Sequence, residues 1–285
     1  MSQVRASEKL RQLMKDRAVV APGVFDGMSA KLTEQAGFEA VYASGGAISR
    51  SSGYPDLGLL SFSEICDRLA QIVDVTDLPV IADADTGYGN ALNVHRTMRG
   101  YERLGLAAVH LEDQTFPKRC GHLNDKSLVP IEEMTHKIRV ARDAIADPDF
   151  TLIARTDAIA VEGFDRAIQR AQAYAEAGAD MLFVEAPETL EQIETVAERL
   201  PQPKLINMFL GGKTPLVPAP RLAELGFRLI IIPSDLQRAA IRAMQQTLSA
   251  IAEDGDSGRL AESMASFSER EVIIDTERYL ALDER

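Results

Sequence analysis

The residues with the clearest chemical potential are acidic side chains at the ends of two neighbouring apolar segments. Asp83 and Asp85 stand two apart in PVIADAD, Glu112 closes AAVHLED, and Asp56 lies in SGYPDLG. Residues two apart in a strand point to the same side, so the two aspartates are predicted to face one spot. Converging carboxylates repel unless a cation neutralises them. Oxygen ligands without paired histidines favour Mg2+, or Mn2+, over zinc.

These acidic residues also have a structural alternative, because aspartates at strand ends often cap the following helix or form ordinary ion pairs. For Asp113 we favour this structural alternative, a helix cap or an ordinary ion pair. For Asp83, Asp85 and Glu112 we favour the metal site, since three such residues at neighbouring strand ends are expected to converge.

A polar segment, TFPKRCGHLNDK, follows the fourth apolar run and contains Cys120. Lys118, Arg119 and His122 surround this cysteine, and neighbouring positive charge favours the thiolate and makes a cysteine a usable acid or base. We predict that Cys120 carries a proton in the reaction and that the segment acts as a lid. Cys66, on the apolar face of a helical pattern, is predicted to be a small core residue.

Three polar residues close later apolar runs: Arg155 in IARTDA, Glu185 in FVEAPE and Asn207 in INMF. An arginine can hold a carboxylate through two hydrogen bonds, a glutamate can orient that arginine, and an asparagine can donate to an oxygen. Each residue alone has a structural alternative. Together they predict a pocket for a dicarboxylate anion and a metal ion.

The elements that must position these residues alternate strictly between strand and helix patterns. The predicted strands cover residues 19–24, 40–44, 79–85, 108–113, 151–156, 181–185, 204–208 and 228–233. Alternation predicts a parallel sheet, and eight units predict an α/β fold, a (β/α)8 TIM-type barrel, with an open doubly wound sheet as the alternative. Chemistry in a barrel belongs at the carboxyl ends of the strands, where the polar residues fall.

Residues 1–253 are predicted to form the barrel, and residues 254–285 a C-terminal helical extension. A long helical stretch, residues 236–253, precedes an EDGDSG joint and two further helical segments that have no strand beneath them. An amphipathic helix needs an apolar partner, so the extension is predicted to pack on a neighbouring subunit.

Bulk composition excludes several classes of protein. The 285 residues are 46% hydrophobic, enough for one large core, and the formal net charge of -12 disfavours a nucleic-acid partner. There is no apolar signal region and no apolar run near the ~20 residues that span a bilayer. Two cysteines are too few for a disulfide framework. We expect a cytoplasmic protein with no nucleic-acid or membrane partner.

Seven motifs resemble the isocitrate lyase and phosphoenolpyruvate mutase superfamily. They are SGG at 44–46, PDLG at 55–58, DADTGYGN at 83–90, HLEDQ at 110–114, KRCGH at 118–122, ARTDA at 154–158 and GADMLFVEAP at 178–187. The resemblance covers most of the chain, and KRCGH is typical of the carbon-carbon lyase branch. It implies a (β/α)8 barrel whose final helices swap between the subunits of a homotetramer, with Mg2+ at the strand-end carboxylates.

The resemblance also implies roles for individual residues. Asp83 and Asp85 match the metal positions, and Glu112 and Asp56 assist through waters. The implied catalytic residues are Cys120 as general acid, Arg155 and Tyr42, which assists at the substrate hydroxyl. The implied substrate-binding residues are Ser44, Gly45, Gly46 and Arg155, and we count Asp56, Gly121, His122, Glu185, Asn207 and Arg238 with them.

The implied reaction cleaves a small 2-hydroxy acid. Metal chelation of the C1 carboxylate and C2 oxygen lowers the pKa of the hydroxyl, and its deprotonation drives retro-Claisen cleavage to a 2-oxo acid and a carbanion. Arg155 stabilises that anion, and Cys120 protonates it behind a closed lid. The group that removes the hydroxyl proton stays open.

Two branches of the superfamily compete for the substrate. Arg238 in IPSDLQR falls where methylisocitrate lyases place a substrate-contacting arginine, but Phe267 stands where their tail arginine is expected, with Arg270 three residues on. NMFLGGKTP at 207–215 resembles the 2,3-dimethylmalate lyase type. We favour a 2-alkylmalate substrate, with 2-methylisocitrate as the alternative. An oxaloacetate hydrolase, a phosphonopyruvate mutase or hydrolase and a non-catalytic dicarboxylate-binding barrel are further alternatives.

Overall fold

Eight parallel strands close into a barrel in chain order, which confirms the predicted TIM-type fold. The computed structural model describes residues 4–121, 123 and 125–283. The strands are β1 Val19–Val24, β2 Val41–Ala43, β3 Val80–Asp83, β4 Ala108–Glu112, β5 Thr151–Thr156, β6 Met181–Val184, β7 Lys204–Asn207 and β8 Phe227–Ile232. All eight predicted strands are present, and most end a residue or two before the predicted bound.

Helices surround the barrel and extend its C-terminus. They are α1 Ala6–Met14, α2 Gly27–Gln35, α3 Gly45–Ser51, α4 Phe62–Val73, α5 Ala91–Arg103, α6 Ile131–Ala144, α7 Ile159–Glu162, α8 Phe164–Glu176, α9 Leu190–Arg199, α10 Ala219–Glu224, α11 Asp235–Asp254, α12 Phe267–Ile273 and α13 Thr276–Asp283. The short helices α3 and α7 follow β2 and β5 directly, and the sequence pattern did not predict them.

Apolar packing leaves one end of the barrel for the polar residues. A large core fills the space between strands and helices, and a second cluster fills the barrel interior with residues such as Ile153 and Phe183. Leu10 and Met14 of α1 belong to this interior cluster together with Val19, which begins β1. Because α1 thereby covers the amino ends of the strands, the open end of the barrel is the carboxyl end.

Asp113 is held inside the protein, where it forms an ion pair and does not cap a helix. Its carboxylate accepts hydrogen bonds from the Thr156 hydroxyl at 2.7 Å, the Tyr174 hydroxyl at 2.8 Å and the Asp157 backbone N-H at 2.9 Å, and Arg170 pairs with it at 3.3 Å. A buried carboxylate needs such partners. Asp113 therefore joins β4 to β5 and α8 immediately behind the polar end of the barrel.

The predicted C-terminal helices are present and leave apolar faces exposed. On α11, Ile241, Met244, Leu248 and Ile251 recur at helical spacing and are 40–65% exposed. Phe267 on α12 is 73% exposed, although α12 contacts α2 of the same chain. No helix within the described ranges is long and apolar enough to cross a membrane.

Candidate active site

One cavity of about 340 Å3 opens at the carboxyl ends of the strands and collects most of the predicted site residues. Those that line it are Tyr42, Ser44, Gly46, Asp56, Asp83, Cys120, Gly121, Arg155, Glu185, Asn207 and Arg238. Gly45, Asp85 and Glu112 contact these lining residues from behind. The predicted residue His122 lies outside the described residues.

Asp83 and Asp85 lie close together, but a turn and not the predicted strand pleat brings Asp85 to Asp83. β3 ends at Asp83, and Asp85 lies beyond it with a φ of 46°, in the left-handed region. The Asp85 backbone N-H donates to the Asp83 carboxylate at 2.9 Å. The alternation of a strand therefore does not apply to Asp85, and the local turn places its side chain.

Burial makes ionisation of this cluster unfavourable. It raises the pKa of Asp83, raises that of Asp85 to about 6, where the charge of Asp83 adds to the effect, and raises the pKa of Glu112 well above its usual range. The positive charges of Lys118 and Arg155 oppose the shift at Asp83 and Glu112. The cluster therefore needs nearby positive charge to stay ionised at neutral pH.

Lys118 supplies much of that charge, a role that sequence reasoning missed. Its Nζ lies 2.8 Å from Asp85 Oδ1 and 2.5 Å from Asp56 Oδ1, and the side chain is only 4% exposed. Burial alone would lower the pKa of Lys118, but Asp85, Asp56, Asp83 and Glu112 raise it well above its ordinary value. In the sequence it stood out only as a positive neighbour of Cys120, two residues away.

Tyr42 faces the cavity, and its hydroxyl contacts His110. Sequence reasoning did not single out His110. The Tyr42 hydroxyl lies 2.6 Å from His110 Nε2, and the two rings stack at 5.7 Å. Burial, with the charge of Arg155, lowers the pKa of His110 to about 3, so the imidazole is neutral. Burial and the charge of Asp83 raise the pKa of Tyr42 well above its ordinary value. Tyr42 therefore retains its proton.

Arg155 is the main buried cation on the other side of the cavity. Its Nε donates to Asp157 Oδ2 at 2.9 Å and lies 3.4 Å from Glu112 Oε2, and the guanidinium covers the Phe183 ring at 5.2 Å. Asp157 Oδ1 also forms an ion pair with Lys126 Nζ at 2.9 Å. These contacts fix the plane of the guanidinium, as recognition of a carboxylate requires.

Glycines in the predicted motifs allow these charged groups to come close. A Cβ on Gly45 would lie 2.7 Å from Asp83 Oδ2, and one on Gly46 would lie 2.7 Å from Asp56 Oδ2. A Cβ on Gly121 would lie 2.4 Å from Arg155 Nη2. The absence of a side chain at 45, 46 and 121 is therefore a packing requirement of the carboxylates and of Arg155.

Residues 115–128 form the Cys120 loop, and the Cys120 side chain lines the cavity. The base of the loop is closed by the Thr115 N-H, which donates to the Ser127 carbonyl at 2.8 Å. Gln114 fixes the middle, since its side chain bonds the Arg119 carbonyl at 2.8 Å and the Arg119 N-H at 2.9 Å. Cys66, by contrast, packs on the outer core as predicted, and burial raises its pKa to about 11.

The remaining wall of the cavity combines the apolar side chains of Phe209, Ile231 and Ile241 with polar ones, which are Arg50, Ser234 and Gln237. Arg238 lines the rim, but its Nη1 donates to the Leu210 carbonyl at 2.5 Å and pairs with Asp235 at 3.3 Å. The site thus offers carboxylates and cations together with a few apolar side chains.

The carboxylate cluster has the chemistry of a Mg2+ or Mn2+ site with few protein ligands. Both Glu112 oxygens are buried without a hydrogen bond from the described residues, although Arg155 Nε lies 3.4 Å from Oε2. No group of three or more acidic, histidine or cysteine side chains among those residues is compact enough to hold a metal alone. Mg2+ commonly binds through one or two carboxylates and keeps several waters, so the residues present fit it.

Comparison with known proteins identifies the family. The phosphoenolpyruvate phosphomutase family model matches residues 10–252. A 2,3-dimethylmalate lyase of Eubacterium barkeri is 42% identical over 277 residues, covering 96% of each chain. A 2-methylisocitrate lyase of Halalkalibacterium halodurans is 42% identical over 283 residues, covering 99% of this chain and 94% of the relative.

This chain belongs to the phosphoenolpyruvate mutase and isocitrate lyase superfamily. It is a carbon-carbon lyase of that superfamily, as predicted. A crystal structure of 2,3-dimethylmalate lyase superposes with a TM-score of 0.93 at 36% identity, covering 99% of this chain and 95% of that one. A phosphonopyruvate hydrolase in complex with oxalate and Mg2+ superposes with a TM-score of 0.86 at 34% identity, covering 99% of both chains.

Replacing Lys118 should destabilise the protein in a pH-dependent way. Lys118→Met leaves buried carboxylates without their cation. The free energy of unfolding should therefore fall by about 3–5 kcal/mol at pH 8. The folded-state pKa of Asp85 is about 6, above its ordinary value, so its ionisation opposes folding as the pH rises through that range. The loss in the free energy of unfolding should therefore be smaller at pH 5 than at pH 8. Denaturant unfolding in the presence of EDTA measures it at both pH values.

Lys204→Met is the matched control. Lys204 is equally buried, but its Nζ donates to the Leu200 and Gln202 carbonyls at the amino end of β7, far from these carboxylates. Its replacement should change stability by the same amount at both pH values. A Lys118→Met deficit that is constant with pH would refute the charge argument.

Proposed function

We propose that the protein is a Mg2+-dependent lyase that cleaves a 2-hydroxy dicarboxylate of the 2-alkylmalate type to pyruvate and a carboxylic acid. The observation that carries the proposal is one cavity lined by Asp83, Arg155 and Cys120, with Asp85 and Glu112 directly behind it. A cation site, an anion site and a proton carrier in one enclosed space are what cleavage to a carbanion requires.

Asp83 and Asp85 would hold the metal, with Glu112 and Asp56 nearby. When bound there, Mg2+ supplies Lewis-acid stabilisation of the substrate C2 oxygen. The raised pKa values of Asp83, Asp85 and Glu112 support this assignment, because a cation would restore the ionised forms that burial disfavours.

The chain's own residues divide the remaining tasks. Arg155, oriented by Asp157 and Glu112, binds the carboxylate on which negative charge develops during cleavage. Cys120 Sγ delivers a proton to the carbanion and becomes a thiolate. The apolar side chains of Phe209, Ile231 and Ile241 limit water near that carbanion.

Tyr42 is assigned as a hydrogen-bond donor to the substrate hydroxyl oxygen. His110 Nδ1 is buried without a partner in the described chain, so the proton of the neutral ring is best placed on Nε2, where Tyr42 Oη accepts it. The Tyr42 proton is then directed towards the cavity. This orientation gives Tyr42 a role in binding and not in proton removal.

Phe209, Ile231 and Ile241 in the cavity wall offer apolar contacts for an alkyl substituent, which supports the 2-alkylmalate class. 2-Methylisocitrate, which would give pyruvate and succinate, is the second candidate, because Arg238 stands at the rim of the same cavity. Its guanidinium is already paired with Asp235 and Leu210, which weighs against that candidate. The cytoplasmic location expected from the sequence stays a prediction.

Pyruvate release is the first measurement, with 2,3-dimethylmalate and 2-methylisocitrate compared side by side. The expected result is Mg2+-dependent pyruvate formation from 2,3-dimethylmalate, abolished by EDTA and restored by excess Mg2+. Faster release from 2-methylisocitrate would select the second candidate. Release from neither would overturn both substrates and direct the test to oxaloacetate and phosphonopyruvate, and binding without turnover of any of them would indicate a non-catalytic barrel.

Cys120→Ser should lower kcat by about 10²- to 10⁴-fold, the usual contribution of a positioned general acid, with a smaller change in KM. The matched control is Cys66→Ser, a partly buried cysteine outside the cavity, which should retain activity. Steady-state kinetics on the accepted substrate give both values. A Cys120→Ser variant with near-normal kcat would show that another group protonates the carbanion.

We also propose that the C-terminal helices, from residue 254 onward, pack on a second copy in a helix-swapped homotetramer. The support is the exposed apolar stripe of α11 and the 73% exposure of Phe267. The double variant Met244→Glu/Leu248→Glu should give a smaller species than the unchanged protein by light scattering. Gln245→Glu/Gln246→Glu adds the same charge to the same helix and should not change the mass; equal masses for both variants would refute the interface.

A further inference from the structure

Lys126, which forms a buried ion pair with Asp157 next to the cavity, has no part in the chemistry assigned so far. Lys126 Nζ lies 2.9 Å from Asp157 Oδ1, and the two side chains are 1% and 0% exposed. We propose that Lys126 is a positioning residue, which fixes Cys120 relative to Arg155 through this pair. This proposal rests on the proposed function only where it predicts an effect on kcat.

The first link runs from Lys126 to the peptide that follows Cys120. Lys126 Nζ donates to the Gly121 carbonyl as well as to Asp157. The ammonium therefore holds the backbone beside Cys120 from within the protein. Its two acceptors explain why a lysine is tolerated at a fully buried position.

The second link runs from Asp157 to Arg155. Asp157 Oδ2 accepts from Arg155 Nε at 2.9 Å, and Oδ1 accepts from Arg155 Nη2 at 3.2 Å, beside the bond from Lys126. The Asp157 backbone N-H donates to Asp113 at 2.9 Å, which ties this carboxylate to the frame of the barrel. One carboxylate thus orients the cationic side chain and anchors the loop.

Close packing makes the linkage sensitive to small movements. A Cβ on Gly121 would lie 2.4 Å from Arg155 Nη2 and 2.6 Å from Glu185 Oε1. The loop backbone therefore packs directly against Arg155, the side chain that Asp157 positions. Without the Lys126 contact, the Gly121 carbonyl loses its buried donor, and the distance between Cys120 and a substrate held by Arg155 is no longer fixed.

The test measures access to Cys120 independently of turnover. In a Cys66→Ser background, the iodoacetamide alkylation rate of Cys120 is followed against pH, so that access to the thiolate is separated from the thiol pKa. Lys126→Met should raise the limiting rate by on the order of tenfold, because local opening of the loop becomes easier. Lys204→Met, another buried lysine, should leave the rate unchanged.

The kinetic measurement asks whether the same linkage matters for the reaction. Lys126→Met should lower kcat by about 10²-fold, the scale expected for a misplacement of about 1 Å. The single variant leaves Asp157 without its lysine and has a risk of not folding. The double variant Lys126→Met/Asp157→Asn removes the aspartate charge as well, so it replaces the single variant in that case. Because both changes break one linkage, the double variant should be about as impaired as the more impaired single variant.

Two results would overturn the proposal. One is an unchanged Cys120 alkylation rate in folded Lys126→Met or in the folded double variant. The other is an equal rise in Lys204→Met, which would indicate general loosening. Failure of every candidate substrate would remove the proposed function but not this result, because alkylation needs no turnover.

Discussion

Burial of negative charge at the carboxyl ends of β3 and β4 is the constraint on which the rest of the site depends. Asp83, Asp85 and Glu112 sit where water is largely excluded, and a carboxylate is costly there unless a cation compensates it. Lys118 and Arg155 provide that compensation from two different elements. The positions of the Cys120 loop and of the β5 end are therefore linked to the charge of the cluster.

The barrel makes this arrangement possible because it separates stability from chemistry. Apolar side chains fill its interior, and α1 covers the amino ends of the strands. Every strand then delivers its last residue to the same open end, where a single cavity receives groups from distant parts of the sequence. Asp113 contributes to both functions, since its buried bonds to Thr156, Tyr174 and Arg170 hold together the elements that carry Glu112 and Arg155.

The sequence predicted the eight strands because their apolar runs are separated by helical periodicity, and it predicted most of the cavity because polar residues end those runs. Asp85 was correctly placed for an incorrect reason, since a left-handed turn and not the pleat brings it to Asp83. Lys118 and Lys126 were missed because a lysine in a polar loop has the same pattern whether it is solvated or buried. His110 was missed because one histidine in an apolar strand gives no sign of its partner, Tyr42.

The two lysines of the Cys120 loop differ in how their surroundings depend on a bound cation. Lys118 pairs with Asp85, one of the carboxylates proposed to hold the metal, so its interactions would change if a divalent cation bound there. Lys126 pairs with Asp157, which is already compensated by Arg155 and whose pKa is held below its usual range by Arg155 and Lys126 against the effect of burial. A bound cation would therefore act on Lys118 and not on Lys126. Cys120 lies between the two lysines, so under the positioning role proposed for Lys126 its place would be kept while the contacts of Lys118 change.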